Sequence, residues 1–157
     1  MKLEEKVVNL LIKNNYHISF SESCTGGMVA ATLVSVADAS KVFNESFVTY
    51  ANEAKIKYLG VSPNVIANYG VVSLECVKEM AEGTAKATNS EVAVSVSGIA
   101  GPSGGTKEKP VGTVCFGFYI NGRTYTYIEH FGDLGRNKVR KESTKFVYKT
   151  LLKLLNK

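Results

Sequence analysis

The chain has 157 residues, 45% of them hydrophobic and 21% charged, with a net charge of +5 from 19 Lys+Arg against 14 Asp+Glu. That size and apolar share suit one domain over 1–157 whose core needs no disulfides. Three cysteines without a CxxC pair exclude a disulfide framework and fit a reducing, cytoplasmic setting. No 18-residue apolar run is present, which excludes a membrane-spanning helix, and the opening MKLEEKVV reads as an amphipathic helix start rather than a signal peptide.

Leu3, Val7, Leu10 and Leu11 recur at helical spacing over 3–13, and Asn14-Asn15 supply a stop. His17 to Phe20 reads as a short buried strand, Ser21–Gly27 (SESCTGG) as a turn, and the small apolar run 26–36 as a helix packed tightly on a sheet. A second strand covers 46–50. Asn52 is placed to cap a helix that stops at Gly60, and a short helix after Pro63 ends near Gly70. Ser73 caps a helix over 74–88 that turns Val77, Met80, Ala81 and Thr84 inward. Residues 91–97 alternate as a strand, and Gly98–Gly105 (GIAGPSGG) must be a loop. Asn121-Gly122 signals a hairpin between 112–120 and 123–131. The last helix, 136–155, buries Val139, Phe146, Val147, Thr150, Leu151 and Leu154. This alternation predicts an α/β fold: a three-layer α/β/α sandwich with a mixed sheet including one antiparallel hairpin.

Four features carry possible chemistry. The first is SESCTGG between a strand and a helix. A helix N-terminus offers unpaired N–H groups and positive partial charge, so the loop reads either as an anion or oxyanion cradle or as a capped helix packed through glycine. It is neither a Walker A loop nor a GxGxxG fingerprint. The second is Gly98–Gly105, which follows another strand and ends near Lys107 and Lys109. If the two strands are parallel neighbours, both loops leave the sheet edge where open α/β sheets bind ligands. The third is Tyr50 with Lys55. A desolvated lysine can act as base for a serine, and neither His17 nor His130 is placed for a Ser-His-Asp set. The fourth is Arg136 and Arg140, one helical turn apart and suited to one anionic group, with solvated surface residues as the alternative. Cys24 at a helix start is a weaker candidate nucleophile. No metal-ligand spacing occurs, so no metal is expected. The positive balance fits an anionic partner such as a nucleotide. The surplus clusters in the last helix without interleaved aromatics, which ranks nucleic acid last.

These features in this order resemble the CinA C-terminal domain family. The matching stretches are ESCTGG (22–27), FVTYANEAK (47–55), YGVVS (69–73), SVSGIAGPSGG (95–105), KPVGTV (109–114), and FGD followed by Arg136 and Arg140. The resemblance is to the stand-alone form, without the further N-terminal domain of longer members. It implies hydrolysis of the carboxamide of nicotinamide mononucleotide to nicotinic acid mononucleotide and ammonia, a salvage step that needs no cofactor or metal. Lys55 matches the family's catalytic lysine, Tyr50 its assisting tyrosine, and Ser23 and Ser40 two serines linked to the site. Thr25, Gly26 and Gly27 of the first loop are expected to bind substrate, together with Ser97, Gly98, Ala100 and Gly101 of the second. The phosphate falls to Arg136 or Arg140. Gly-Asp-Arg is common in the family, whereas Leu134-Gly135 stands here between Asp133 and Arg136, which leaves both arginines open. Ser23 sits at a strand-to-helix turn, while Ser40 follows the first crossover helix and reaches the site only by a fold-back or from another subunit. A homo-oligomer is expected. The competing class is a non-catalytic nucleotide-binding domain, or a partner in competence or DNA-damage responses.

Overall fold

The structure, a computed structural model, describes residues 1–157. In chain order the elements are α1 (Leu3–Asn14), β1 (Ile18–Glu22), α2 (Met28–Val34), a 3-10 turn (Ala39–Lys41), β2 (Phe43–Val48), α3 (Asn52–Leu59), α4 (Pro63–Tyr69), α5 (Leu74–Thr88), β3 (Val92–Gly98), β4 (Thr113–Ile120), β5 (Arg123–His130) and α6 (Arg136–Leu155). No helix is long and apolar enough to cross a membrane.

The strands form one sheet in the order β2-β1-β3-β4-β5. β2 and β3 both run parallel to β1, and the β4–β5 hairpin closes the other edge antiparallel. Asn121 and Gly122 both take positive φ (44° and 100°), the backbone that a two-residue hairpin turn matched to strand twist requires.

Alternation along the strands decides which side chains meet which helix layer. Ile18 and Phe20 of β1, Val92, Val94 and Val96 of β3, and Val114, Phe116 and Phe118 of β4 join α1, α2 and α6 in a core of 22 buried residues. The opposite face carries small and hydroxyl side chains and a core of only 7 residues, among them Cys76, Val77, Met80 and Cys115. Small residues there let α5 lie directly on the sheet. Ser95 Oγ donates to the Val77 carbonyl at 2.6 Å, and a Cβ on Gly117 would stand 2.3 Å from the same oxygen. The molecule is the expected three-layer α/β/α sandwich, with α3, α4 and α5 forming the second helical layer.

Several boundaries move for identifiable reasons. β1 continues through Ser21 and Glu22, which pair with Ser95 and Val96, so the turn is shorter than SESCTGG. β2 starts at Phe43 and ends at Val48, because the Thr49 N–H still reaches the Glu22 carbonyl while Tyr50 leaves the sheet. Asn52 is the first residue of α3 and not its cap. Ala51 holds that position without a side-chain bond. Phe146 is only half-buried, and Tyr148 enters the core instead, its hydroxyl donating to the Val29 carbonyl at 2.6 Å.

The chain passes from β1 through α2 to β2 on one side of β1, and from β2 back through α3–α5 to β3 on the other side. That reversal makes a crevice at the C-terminal ends of β1 and β3. The starts of β4 and α6 reach the same end, since Gly98 pairs with Val114 and Thr113 with His130.

Candidate active site

Lys55 occupies the middle of α3, and none of its surface is exposed. Its Nζ lies 3.2 Å from Ser23 Oγ, 2.6 Å from the Thr49 carbonyl and 3.1 Å from the Tyr50 carbonyl. No carboxylate pairs with it. Burial pushes its pKa below the ordinary 10.5, against smaller opposing contributions from Cys76 and Cys24. An uncharged amine fits these contacts. Both carbonyls can only accept from Nζ, while the contact with the Ser23 hydroxyl can run either way, Nζ donating when charged and accepting when uncharged. Ser23 keeps 9% of its surface exposed.

The turn that carries Ser23 is held from both sides. Glu22, fully buried, accepts from Gly27 N–H (3.2 Å), Val29 N–H (2.9 Å) and Ala30 N–H (3.0 Å). A carboxylate satisfies three donors that a helix start leaves open and answers the positive end of its dipole. This corrects the expectation of an anion cradle at α2, because the protein's own carboxylate fills that position. Thr25, Gly26 and Gly27 accordingly do not line the ligand cleft. Sequence reading passed over Glu22, although an acidic residue just before a helix is the signal that the dipole predicts. From the other side Arg140 donates through Nε to the Cys24 carbonyl at 2.9 Å and through Nη2 to the Thr25 carbonyl at 3.1 Å. A third bond joins it to Asn137. Arg140 does not line the cleft, whereas Arg136 does.

Cys24 is also corrected. Burial pushes its thiol up to about 11, with Arg140 only partly opposing, so the thiolate needed for attack is absent near neutral pH.

The cleft has a volume of ≈ 470 Å³ and spreads over the second glycine loop. Gly98, Ala100 and Gly101 line it, with Val71, Val72 and Ile99 as apolar walls. Ser97 is buried one residue before it. The β1–β3 register, carried one step on, sets Ser97 across from Ser23. Arg136 and Lys109 both line the cleft, and no carboxylate does. Lys109, which the sequence marked only as lying near the loop, donates to the Tyr69 carbonyl at 2.6 Å.

The cleft and the Ser23–Lys55 pair do not coincide, and Tyr50 joins them. Its carbonyl accepts from Lys55, and its phenol oxygen accepts from Arg136 Nη2 at 3.1 Å. Arg136 Nη1 donates to the Gly101 carbonyl at 2.7 Å. The Tyr50 hydroxyl is thus turned to Arg136 and makes no bond to Lys55, so the serine and lysine form a pair rather than a hydroxyl-linked triad. Ser40 lies in the 3-10 turn before β2. Phe43 pairs with Ile18 at the start of β1, so within one chain Ser40 stands at the opposite end of the sheet from Lys55. No three His, Cys, Asp or Glu side chains gather where they could hold a metal ion.

Comparison with known proteins gives a consistent result. A family model described as the CinA C-terminal domain matches residues 1–155. A CinA-like protein from Kosmotoga olearia is 50% identical over 144 residues, covering 92% of this chain and 35% of its own length. One from Petrotoga mobilis is 48% identical over 156 residues, covering 99% and 38%. The chain thus spans little more than a third of the curated relatives it matches. Among solved structures, a competence-damaged protein (CinA) superfamily member from Klebsiella pneumoniae superposes with a TM-score of 0.94 at 32% identity, covering 98% of this chain and 96% of that one. The competence/damage inducible protein from Agrobacterium tumefaciens gives 0.91 at 34% identity, covering 100% and 98%.

Proposed function

The chain belongs to the CinA C-terminal domain family, and from that membership and its Ser23–Lys55 pair we propose that it is an amidohydrolase for the carboxamide of nicotinamide mononucleotide. The observation that carries the reading is Lys55 Nζ, fully buried, without a counter-charge, and 3.2 Å from the Ser23 hydroxyl. Lysine at the surface is a solvated cation, whereas desolvation lowers a lysine's pKa and favours the amine form that can act as a base.

Lys55 takes the Ser23 proton as Oγ attacks the amide carbon, and the carbonyl's electron pair moves onto its oxygen. The proton then passes to the departing nitrogen, which leaves as ammonia, and water cleaves the resulting ester to the acid. The two cations of the cleft suit the substrate's phosphate, with the guanidinium of Arg136 the better geometric match. Val71, Val72 and Ile99 suit the flat ring. Ser23, at the turn that Lys55 reaches, is assigned the attack in preference to Ser40.

The test is ammonia release from nicotinamide mononucleotide by the native chain and by Ser23→Ala, Lys55→Ala and Ser40→Ala. The reading requires turnover in the native chain, its loss in the first two variants and its survival in the third. Binding of the nucleotide without turnover would favour the non-catalytic alternative.

A further inference from the structure

The lining of the cleft contains one aromatic side chain, Tyr50, beside two cations and no carboxylate. Tyr50 spans from the reacting pair to the phosphate end. Its carbonyl accepts from Lys55 Nζ at 3.1 Å, and its phenol oxygen accepts from Arg136 Nη2 at 3.1 Å. The residue is 61% exposed. Arg136 meets it at the oxygen and not over the ring. The cation–ring contacts of the chain are those of Lys57 with Tyr58 and of Arg123 and Lys157 with Tyr125. None of the paired aromatic rings is that of Tyr50. The ring thus stands at the cleft with no cation and no aromatic ring stacked on it.

The proposed substrate has its parts in the same order. Its pyridine ring lies between the carboxamide and the ribose phosphate. A molecule with its amide carbon at Ser23 and its phosphate at Arg136 therefore carries that ring past Tyr50. The bond from the ring nitrogen to ribose makes the ring a pyridinium with a full positive charge. In this cleft the charge meets Arg136 and Lys109 and no carboxylate, so Coulomb forces alone favour an uncharged ring. Val71, Val72 and Ile99 offer apolar contact, which does not sense charge. An aromatic face does, because it carries the negative part of the ring quadrupole and attracts a cation held over it.

We propose that the ring face of Tyr50 is the specificity element that recognises the charged pyridinium. The cleft then takes pyridinium nucleotides in preference to their reduced dihydropyridine forms, whose ring is uncharged. The inference rests on the proposed amidase reading, which places the substrate's two ends. It gives the ring of Tyr50 a binding role separate from that of its hydroxyl, which is engaged by Arg136.

Calorimetric titration measures affinity for nicotinamide mononucleotide and for its reduced dihydro form. It is run on the Ser23→Ala chain, to keep the ligand from being consumed, and on the same chain carrying Tyr50→Phe or Tyr50→Leu. Thermal unfolding first identifies conditions in which each chain is folded. Both ligands carry the same phosphate, so any loosening of Arg136 cancels in the ratio of their affinities. Tyr50→Leu is expected to lower that ratio, charged over uncharged, roughly 3- to 30-fold. Tyr50→Phe, which keeps the ring, leaves it unchanged. Proton magnetic resonance of the ligand gives a second readout. The pyridinium protons move upfield on binding, as they enter the shielding region of a stacked ring, with Tyr50 or Phe at this position, and Tyr50→Leu abolishes the movement. A ratio unmoved by Tyr50→Leu would overturn the proposal, as would an upfield movement that survives in it. An equal fall of the ratio in Tyr50→Phe would place the effect in the hydroxyl and overturn it too. A ratio and an upfield movement that depend on the ring, with no ammonia from the native chain, would overturn the amidase reading alone and leave the ring site standing. A native chain that binds neither nucleotide and releases no ammonia would overturn both.

Discussion

Lys55 ties the chemistry of the site to pH. Its pKa is lowered by burial, so the folded chain gives up this proton earlier than the unfolded chain, which holds it to the ordinary 10.5. Between the lowered value and 10.5 the unfolded state binds more protons, and stability rises with pH across that window. Below it both states are protonated, and the fold bears the full cost of a buried ammonium. kcat/KM is expected to rise with pH through the same lowered value, because the amine form is the base. Lys55→Met removes both slopes, as a pH–rate profile and urea unfolding across the alkaline range would read. Glu22 makes a second prediction. Glu22→Gln keeps the shape but turns an NH2 toward the first-turn N–H groups of α2, and unfolding in urea should show a loss of about 1–3 kcal/mol. The residue types were legible from sequence, since Lys55 and Tyr50 stand out in a helix start without histidines nearby. Their pairings were not. Lys55 and Ser23 are 32 positions apart, Arg136 and Tyr50 86, and Arg140 and Cys24 116, and no local periodicity encodes such contacts.

Among the elements, α3 positions Lys55, the proposed base, and its seat is a single glycine. A Cβ at Gly83 of α5 would stand 1.8 Å from the carbonyl oxygen of Leu59, the last residue of α3 and one turn beyond Lys55. Gly83→Ala must push α3 away from α5. It is expected to cost about 1–3 kcal/mol as overpacking and to lower ammonia release in conditions where the variant stays folded, measured by a thermal melt beside the assay. The helices were read well from sequence because their signals are local. Ser73 does cap α5, accepting from Cys76 N–H at 3.1 Å, and Val77, Met80, Ala81 and Thr84 do point inward. Strand ends were read less well, because pairing and not composition ends a strand. Ser21 and Glu22 looked like turn residues until Ser95 and Val96 supplied their partners.

For the molecule as a whole, the layer order followed from alternation, while the location of the cleft depended on which strands became neighbours. β1 and β3 are far apart in sequence but adjacent in the sheet, and only that adjacency brings the two glycine loops to one edge. The cleft there holds two cations and no carboxylate, so its positive character is a property of the assembled edge. Arg136→Ala should raise KM for nicotinamide mononucleotide roughly tenfold to hundredfold, as loss of a charge-assisted bond implies, and leave KM for the riboside unchanged in steady-state assays. The bond between Arg136 and the Tyr50 phenol has an optical consequence. The chain has eight tyrosines and no tryptophan, so at wavelengths beyond the absorption of its seven phenylalanines the near-ultraviolet signal is that of phenols. A phosphate that claims the guanidinium releases the exposed Tyr50 ring, and that ring's changed surroundings should appear as a saturable difference spectrum. Arg136→Ala should abolish that signal, so occupancy of the cleft can be followed by titration with no label and no turnover.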